Sequence, residues 1–588
     1  MSRAHLTPWV CLFLVLASAP LAGQQSARFG GGPALTAVDS AAVERLLDSL
    51  PLRAKVAQLV MPWIPGAYQA FDDSAFAVMQ GWVDSLEVGG LIVSIGSPAD
   101  VALKLNRLQR RARLPLLVAA DLEGGASFRL TGATPFPPNM GVGAAARDSD
   151  AYEVGRITAL EGRAVGIHLA FAPVADVNNN PANPIINTRS FGEDPYLVAR
   201  LVSAAIQGLQ DHGMLATAKH FPGHGDTETD SHLALPVIPT PWARLDTLEL
   251  VPFRAAVVAG AAFIMSGHVA MPAISGDRSR PATLDPNVMQ SVLRDSLGFR
   301  GLLVTDALDM GGIVNAYGAG EVAVLAFRAG ADLLLQPADP RAAIDAVTEA
   351  VESGRVTYER LDRSVRRVLQ LKLQLGLFAR RTVPLDSVPV VVGSRQFQAF
   401  ARDLATRAVV LARDSLGVVD SLRAAPRTVA LITYGEENAG TVGNTMLRQL
   451  RAAGHRVTLF RLWPATGAAG LDSARTLIRR SPYTIFAAAV KVSAWKGTVG
   501  LPEPVARLFD RSLYRRRMVV VSLGSPYIAG QMPQVGSCLM AWSATGLGEW
   551  AAARALTGEA PITGRLPVRV PPHLPLGAGL DRGGTRAP

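Results

Sequence analysis

The chain has 588 residues, with 58 Lys and Arg against 48 Asp and Glu, and is 49 % hydrophobic and 18 % charged. That length exceeds what one core fills, and so apolar a composition excludes a disordered chain. The net charge of +10 comes from arginines spread along the sequence. With no long basic run or aromatic RNA-binding signature, it favours solubility or weak attraction to anionic polymers, and nucleic acid is not an expected partner.

In chain order the first element is a secretory signal peptide, residues 1–23. Arg3 precedes the apolar run Trp9 to Leu16 and then small residues, a stretch too short to span a bilayer as a helix. Gln24 stands where a lipidated cysteine would follow Leu21-Ala22-Gly23, so no lipid anchor or integral membrane segment is expected in the mature chain. The expected location is periplasmic or extracellular. Cys11 lies in the removable segment, which leaves Cys538 alone and excludes an internal disulfide. Its apolar surroundings, Leu539 to Trp542, point to a buried, inert thiol.

From residue 24 to 380, short apolar runs alternate with segments of helical period. The predicted strands are 56–63, 90–94, 116–120, 167–171, 214–218, 263–266, 302–305 and 331–335. Eight such units suggest a (β/α)8 TIM-like barrel. Polar residues fall in phase with them: Asp121 follows the third strand, Asp176 the fourth, Lys219 and His220 the fifth, His268 the sixth and Asp306 the seventh. All lie at carboxyl ends, where barrel enzymes build their sites. Residues 381–398, with Pro384 and Pro389, read as a linker. Residues 399–575 read as an α/β/α sandwich around a parallel sheet with strands at 429–433, 457–462, 484–490, 518–523 and 538–542, and 576–588 as a tail.

The densest chemistry is Lys219 to His232, which holds three of the nine histidines and three acids. A metal site using His220 and His224 would need a helix to align the rings, and Pro222, Gly223 and Gly225 break one. No metal or other cofactor is therefore expected. Asp306, at the end of an apolar strand, is placed to attack an anomeric carbon and leave again as a carboxylate. Asp309 competes for that role three residues on. Asp230 and His232, two apart, would point the same way on an extended segment, so the carboxylate would hold the imidazole that moves the proton.

Lys219-His220-Phe221-Pro222-Gly223-His224-Gly225, then Asp230-Ser231-His232 and Thr305-Asp306-Ala307-Leu308, resemble family 3 glycoside hydrolases of the β-N-acetylglucosaminidase subgroup. The likeness extends to Asp121-Leu122-Glu123-Gly124-Gly125, Arg189-Ser190-Phe191-Gly192, Met265-Ser266-Gly267-His268 and, in the second domain, Ser522 to Tyr527 and Gly564 to Val568. The resemblance implies that Asp306 is the nucleophile, His232 the acid/base and Asp230 its partner. It also implies that Asp121, Arg129, Arg189, Lys219 and His220 bind the sugar, with His224 and Asp176 as supports. Leu122 and Ala126 depart from the family's usual Asp-Gln-Glu-Gly-Gly-Arg.

The implied activity is retaining, exo-acting release of terminal β-linked N-acetylglucosamine from cell-wall or chitin-derived oligosaccharides, through a glycosyl-aspartate. The implied partner is a small carbohydrate; the oligomeric state is left open. Three other readings stand beside it: a β-N-acetylglucosaminide phosphorylase, since a histidine repels phosphate less than a carboxylate does; a β-glucosidase or β-xylosidase; and a non-catalytic carbohydrate-binding protein.

Overall fold

The computed structural model describes residues 35–436, 440–492, 496–497, 499–509 and 517–584. The signal peptide predicted for 1–23 lies outside the described residues, as do the last four residues of the predicted tail.

The first domain is a closed ring of parallel strands. Strands β2 (Trp63–Ile64), β3 (Gly90–Val93), β4 (Leu117–Ala120), β5 (Leu169–Ala170), β6 (Leu215–Phe221), β7 (Phe263–Ser266) and β8 (Leu302–Thr305) pair in that order. Ahead of β2, β1 (Val60–Met61) pairs with β9 (Leu334–Leu335), and a bridge from Val304 to Leu333 joins β9 to β8. Pro62 divides β1 from β2, so the two halves of the first strand serve different neighbours. The ring is a (β/α)8 barrel. Its strands read as unbroken apolar runs because both faces are covered: every residue of β3, β4, β7 and β8 is buried.

The surrounding helices begin where the sequence supplies caps. Ser97 accepts from Asp100 N ahead of the helix Pro98–Arg111, and Thr357 accepts from Arg360 N ahead of Tyr358–Gln374.

Two predicted strands change at their ends. Val56 and Ala57 belong to a helix, Leu52–Ala57, which runs almost directly into the first strand. The predicted fifth strand continues to Phe221, so Lys219 and His220 stand on β6 itself and not on the loop after it.

The second sheet has the order β10 (Val410–Asp414), β15 (Ser537–Met540), β14 (Met518–Ser522), β13 (Tyr483–Ala489), β11 (Thr428–Gly435) and β12 (Arg456–Leu462). Side chains alternate between two apolar layers: Ile432, Phe486 and Val520 pack on one face, and Leu431, Ile485 and Val519 on the other. This is an α/β/α sandwich. A parallel sheet was expected, and the structure departs from it at one edge, where β10 joins antiparallel to β15. The helix Arg395–Ala408 starts inside the segment predicted as linker; its Phe397, Ala401 and Leu404 sit in the barrel core, and Trp542 Nε1 of the sandwich donates to Ala408 O at 2.6 Å. Cys538 is buried, and burial pushes its thiol up to about 12.

Candidate active site

The carboxyl ends of the barrel strands open into a cavity of about 660 Å³, within the range that encloses organic ligands. Asp121, Arg129, Arg189, Lys219, His220, His232 and Asp306 all line it, and Asp230 stands buried beside His232. Strands remote in sequence thus bring every predicted site residue to one place.

One wall of the cavity is a lattice of opposite charges. Asp121 and Glu123 follow β4, and both carboxylates reach Lys219 on β6: Nζ donates to Asp121 Oδ1 at 2.8 Å and lies 2.7 Å from Glu123 Oε1. Arg189 grips Glu123 with two bonds of 2.8 and 2.9 Å, and Arg129 Nη2 donates to Asp121 Oδ2 at 2.8 Å. Burial opposes ionisation of both acids, yet Lys219 and Arg129 hold Asp121 below the usual range, and Arg189 and Lys219 hold Glu123 well below it. Burial likewise opposes the charge on Lys219, and the two carboxylates more than offset it. The cluster is ionised at neutral pH. Glu123 received no role from the sequence, although its position two residues past Asp121 in the same motif was the available signal.

His220 joins this lattice to Asp176. Arg189 Nη2 lies 3.2 Å from His220 Nε2, and a guanidinium only donates, so Nε2 accepts. Nδ1 therefore carries the proton and donates to Asp176 Oδ2 at 2.7 Å. Asp176 is completely buried and also accepts from the backbone N–H groups of His220 and His224. Burial would raise its carboxyl, but the two histidines keep it below the ordinary value. Asp176 supports the site from behind, as expected.

Asp306 emerges at the end of β8. Its N–H donates to Ser266 O at 3.1 Å and its Oδ1 accepts from Ala307 N at 2.8 Å. Burial disfavours the carboxylate, yet His220, His268, Lys219 and the Ala307 N–H bring its pKa down to about 2. It is therefore an anion at neutral pH. Asp309 is exposed at the rim and accepts from Gln336 Nε2 at 2.9 Å. Behind Asp306, His268 Nε2 donates to the Ala307 carbonyl at 2.9 Å while Nδ1 meets the Thr283 hydroxyl at 2.8 Å. Burial lowers its pKa, against the raising effect of Asp306, and its two bonds brace the backbone behind the carboxylate.

Asp230 and His232 meet as predicted, by a different backbone route. Residues 230–234 form a turn and not an extended segment: Leu233 N and Ala234 N both donate to Asp230 O. Asp230 Oδ1 accepts from His232 N at 2.9 Å and from Nδ1 at 2.7 Å, a side chain closing on the N–H two residues ahead. His224 braces this turn, with Nδ1 at 3.0 Å from Thr227 Oγ1 and Nε2 at 2.9 Å from Ser231 Oγ. Burial takes His224 down to about 4, so it stays neutral. Among the described residues, no group of three His, Cys, Asp or Glu side chains is arranged for a metal ion, and no helix is long and apolar enough to cross a membrane.

A (β/α)8 barrel whose carboxyl face joins an ionised strand-end aspartate to an Asp–His pair beside a charged sugar-sized cleft defines a glycoside hydrolase. The description of the glycosyl hydrolase family 3 N-terminal domain matches residues 51–371. The β-N-acetylglucosaminidase/β-glucosidase of Cellulomonas fimi is 31 % identical over 503 residues, 82 % of this chain and 88 % of that one. A β-hexosaminidase of Neisseria meningitidis serogroup C is 35 % identical over 312 residues, 51 % of this chain and 84 % of that one. Among solved structures, a family 3 β-N-acetylglucosaminidase from Paenibacillus sp. str. FPU-7 superposes with a TM-score of 0.79 at 34 % identity, covering 90 % of this chain and 100 % of that one. A β-glucoside phosphorylase superposes at 0.83 with 25 % identity, covering 92 % and 98 %. The chain belongs to glycoside hydrolase family 3.

Proposed function

We propose that the protein is a retaining, exo-acting β-N-acetylglucosaminidase that removes terminal β-linked N-acetylglucosamine from cell-wall or chitin-derived oligosaccharides. The observation that carries this reading is the ionised Asp306 opening into the same cavity as the Asp230–His232 pair. An Asp306 oxygen attacks the anomeric carbon, the glycosidic C–O bond breaks, and the leaving oxygen takes a proton from His232. With Nδ1 committed to Asp230, Nε2 is the nitrogen that exchanges it. Water then attacks the anomeric carbon, passes its proton to His232, and Asp306 leaves as the carboxylate.

Asp121, Arg129, Arg189, Lys219 and His220 hold the sugar hydroxyls, at roughly 1.5 to 3 kcal/mol per bond to a charged group. Trp63 and Phe128, 41 % and 43 % exposed, line the same cavity and add aromatic surface to it. The names of the Cellulomonas and Neisseria relatives support an acetamido sugar as substrate. Arg3 and the apolar run Trp9 to Leu16 support export to the periplasm or beyond. The test compares nitrophenyl β-N-acetylglucosaminide with nitrophenyl β-glucoside. The first should be cleaved with the higher kcat/KM; preference for the glucoside would transfer the assignment to a β-glucosidase.

A second reading, phosphorolysis, has its own support: the proton donor is an imidazole, cations crowd the site, and one structural relative is named a β-glucoside phosphorylase. Appearance of a sugar 1-phosphate at saturating phosphate would select it, and its absence would eliminate it.

A further inference from the structure

The loop between β5 and the helix Pro195–Gln210 carries Arg189 into the site, and it is held from two sides. On the outside, four sandwich residues grasp it. Asn178 Nδ2 donates to Tyr527 Oη at 2.7 Å, and Asn187 Nδ2 reaches Ser525 Oγ at 3.4 Å. Glu193 N donates to Pro567 O at 2.9 Å, and the Glu193 carboxylate accepts from Arg569 N at 2.9 Å. The loop is closed at its base by Asn178 N donating to Gly192 O at 2.9 Å.

On the inside, Asn183 is the joint. It is completely buried; Nδ2 donates to His224 O and Gly225 O, both at 2.9 Å, while Oδ1 accepts from Ile185 N and Ile186 N. One amide thus ties the Arg189 loop to the segment that enters the proton-donor turn. From there His224 reaches Ser231, which lies between Asp230 and His232. Contact is tight along this seam: a Cβ at Gly225 would meet Val177 O at 1.7 Å.

We propose that Asn183 is a positioning residue for the acid/base turn, and that Tyr527 makes the sandwich domain part of the same device by holding the Arg189 loop against it. Neither residue touches the reacting atoms. The domain that follows the barrel thereby sets the aim of a proton donor carried entirely on the barrel. The inference rests on His232 acting as the general acid.

The test uses the full chain and two leaving groups. Cleavage of a glycoside with a poor leaving group, such as the N-acetylglucosamine β-1,4-disaccharide, needs proton donation in the step that kcat/KM reports. A dinitrophenyl glycoside departs without it. Asn183→Ala should lower kcat/KM for the disaccharide by tenfold or more and for the dinitrophenyl glycoside by less than threefold. Tyr527→Phe, which removes one hydroxyl at a half-buried position, should move the ratio of the two substrates in the same direction by about threefold. A purely structural role lowers both substrates equally, and an unchanged ratio in either variant overturns the proposal. If Asn183→Ala does not fold, the ratio in Tyr527→Phe decides alone. A wild-type enzyme that cleaves neither substrate would instead sink the glycosidase reading, so the two failures are distinguishable.

Discussion

The barrel buries two charge clusters, one at each end, and they behave differently. At the mouth, Asp121, Glu123, Lys219, Arg129 and Arg189 pair with one another while lining a cavity. At the base, Asp332 accepts from Arg294 and Arg367 at 2.9 Å each, from Ser364 Oγ at 2.6 Å and from Leu303 N at 2.9 Å, with Arg360 3.7 Å away. Both clusters satisfy the rule that buried charge must be paired. The base is saturated by its own side chains; the mouth keeps the same kind of groups beside an opening where hydroxyls can join them. Location at the open carboxyl face, not the presence of ion pairs, sets the two clusters apart.

Variants at the two ends should break that symmetry. Asp306→Ala at the mouth should cut turnover by more than roughly 10⁴-fold, in line with removal of a nucleophile or its base elsewhere. Steady-state kinetics on nitrophenyl N-acetylglucosaminide measures this.

Asp332→Asn at the base should cost about 3 to 5 kcal/mol of stability, because three arginines lose their counter-charge, and leave kcat per folded molecule within about twofold. Urea unfolding and active-site titration together read it. Burial opposes the Asp332 charge but the arginines bring its pKa to about 2, against an ordinary 3.8. Its contribution should therefore be complete above pH 4 and fade as pH falls from 4 to 2.

Glu123→Gln tests the mouth from within. It removes the counter-charge shared by Arg189 and Lys219, so kcat/KM should fall by about 10²-fold with KM bearing most of the change, through loss of sugar grip.

The effect on activity should be smallest at Lys372, completely buried at the base with Nζ donating to Gln58 Oε1 at 2.7 Å. Burial lowers its pKa from 10.5 to about 7. Between those values the unfolded chain holds a proton that the folded one has released, so stability should rise with pH through that window. Lys372→Met should flatten the slope, as chemical denaturation at a series of pH values would show.

Much of this was legible in the sequence. Phe263–Ser266 and Leu302–Thr305 appear at the predicted bounds because a short apolar run ends abruptly in Gly267 or Asp306. Val56 was misplaced because the helix Leu52–Ala57 and the first strand share one apolar stretch, and hydrophobicity alone cannot divide them. β10 was missed because it follows the helix Arg395–Ala408 with hardly a break and pairs with a strand more than a hundred residues away.

In the site, strand-end phase located Asp121, Lys219, His220 and Asp306. It said nothing of Glu123, whose meaning depends on Lys219 and Arg189 arriving from other strands and loops. The seam through Asn183 and Tyr527 is a product of domain packing, which no local pattern encodes.

The role of Asp306 is tested most directly by incubating the enzyme with a fluorinated N-acetylglucosamine donor that reacts quickly and turns over slowly, digesting it, and locating the label by mass spectrometry. One sugar is expected on Asp306, carried by the peptide that contains Thr305 to Met310, and none in Asp306→Ala. A label on Asp309, or full inactivation with no covalent sugar anywhere in the chain, would contradict it.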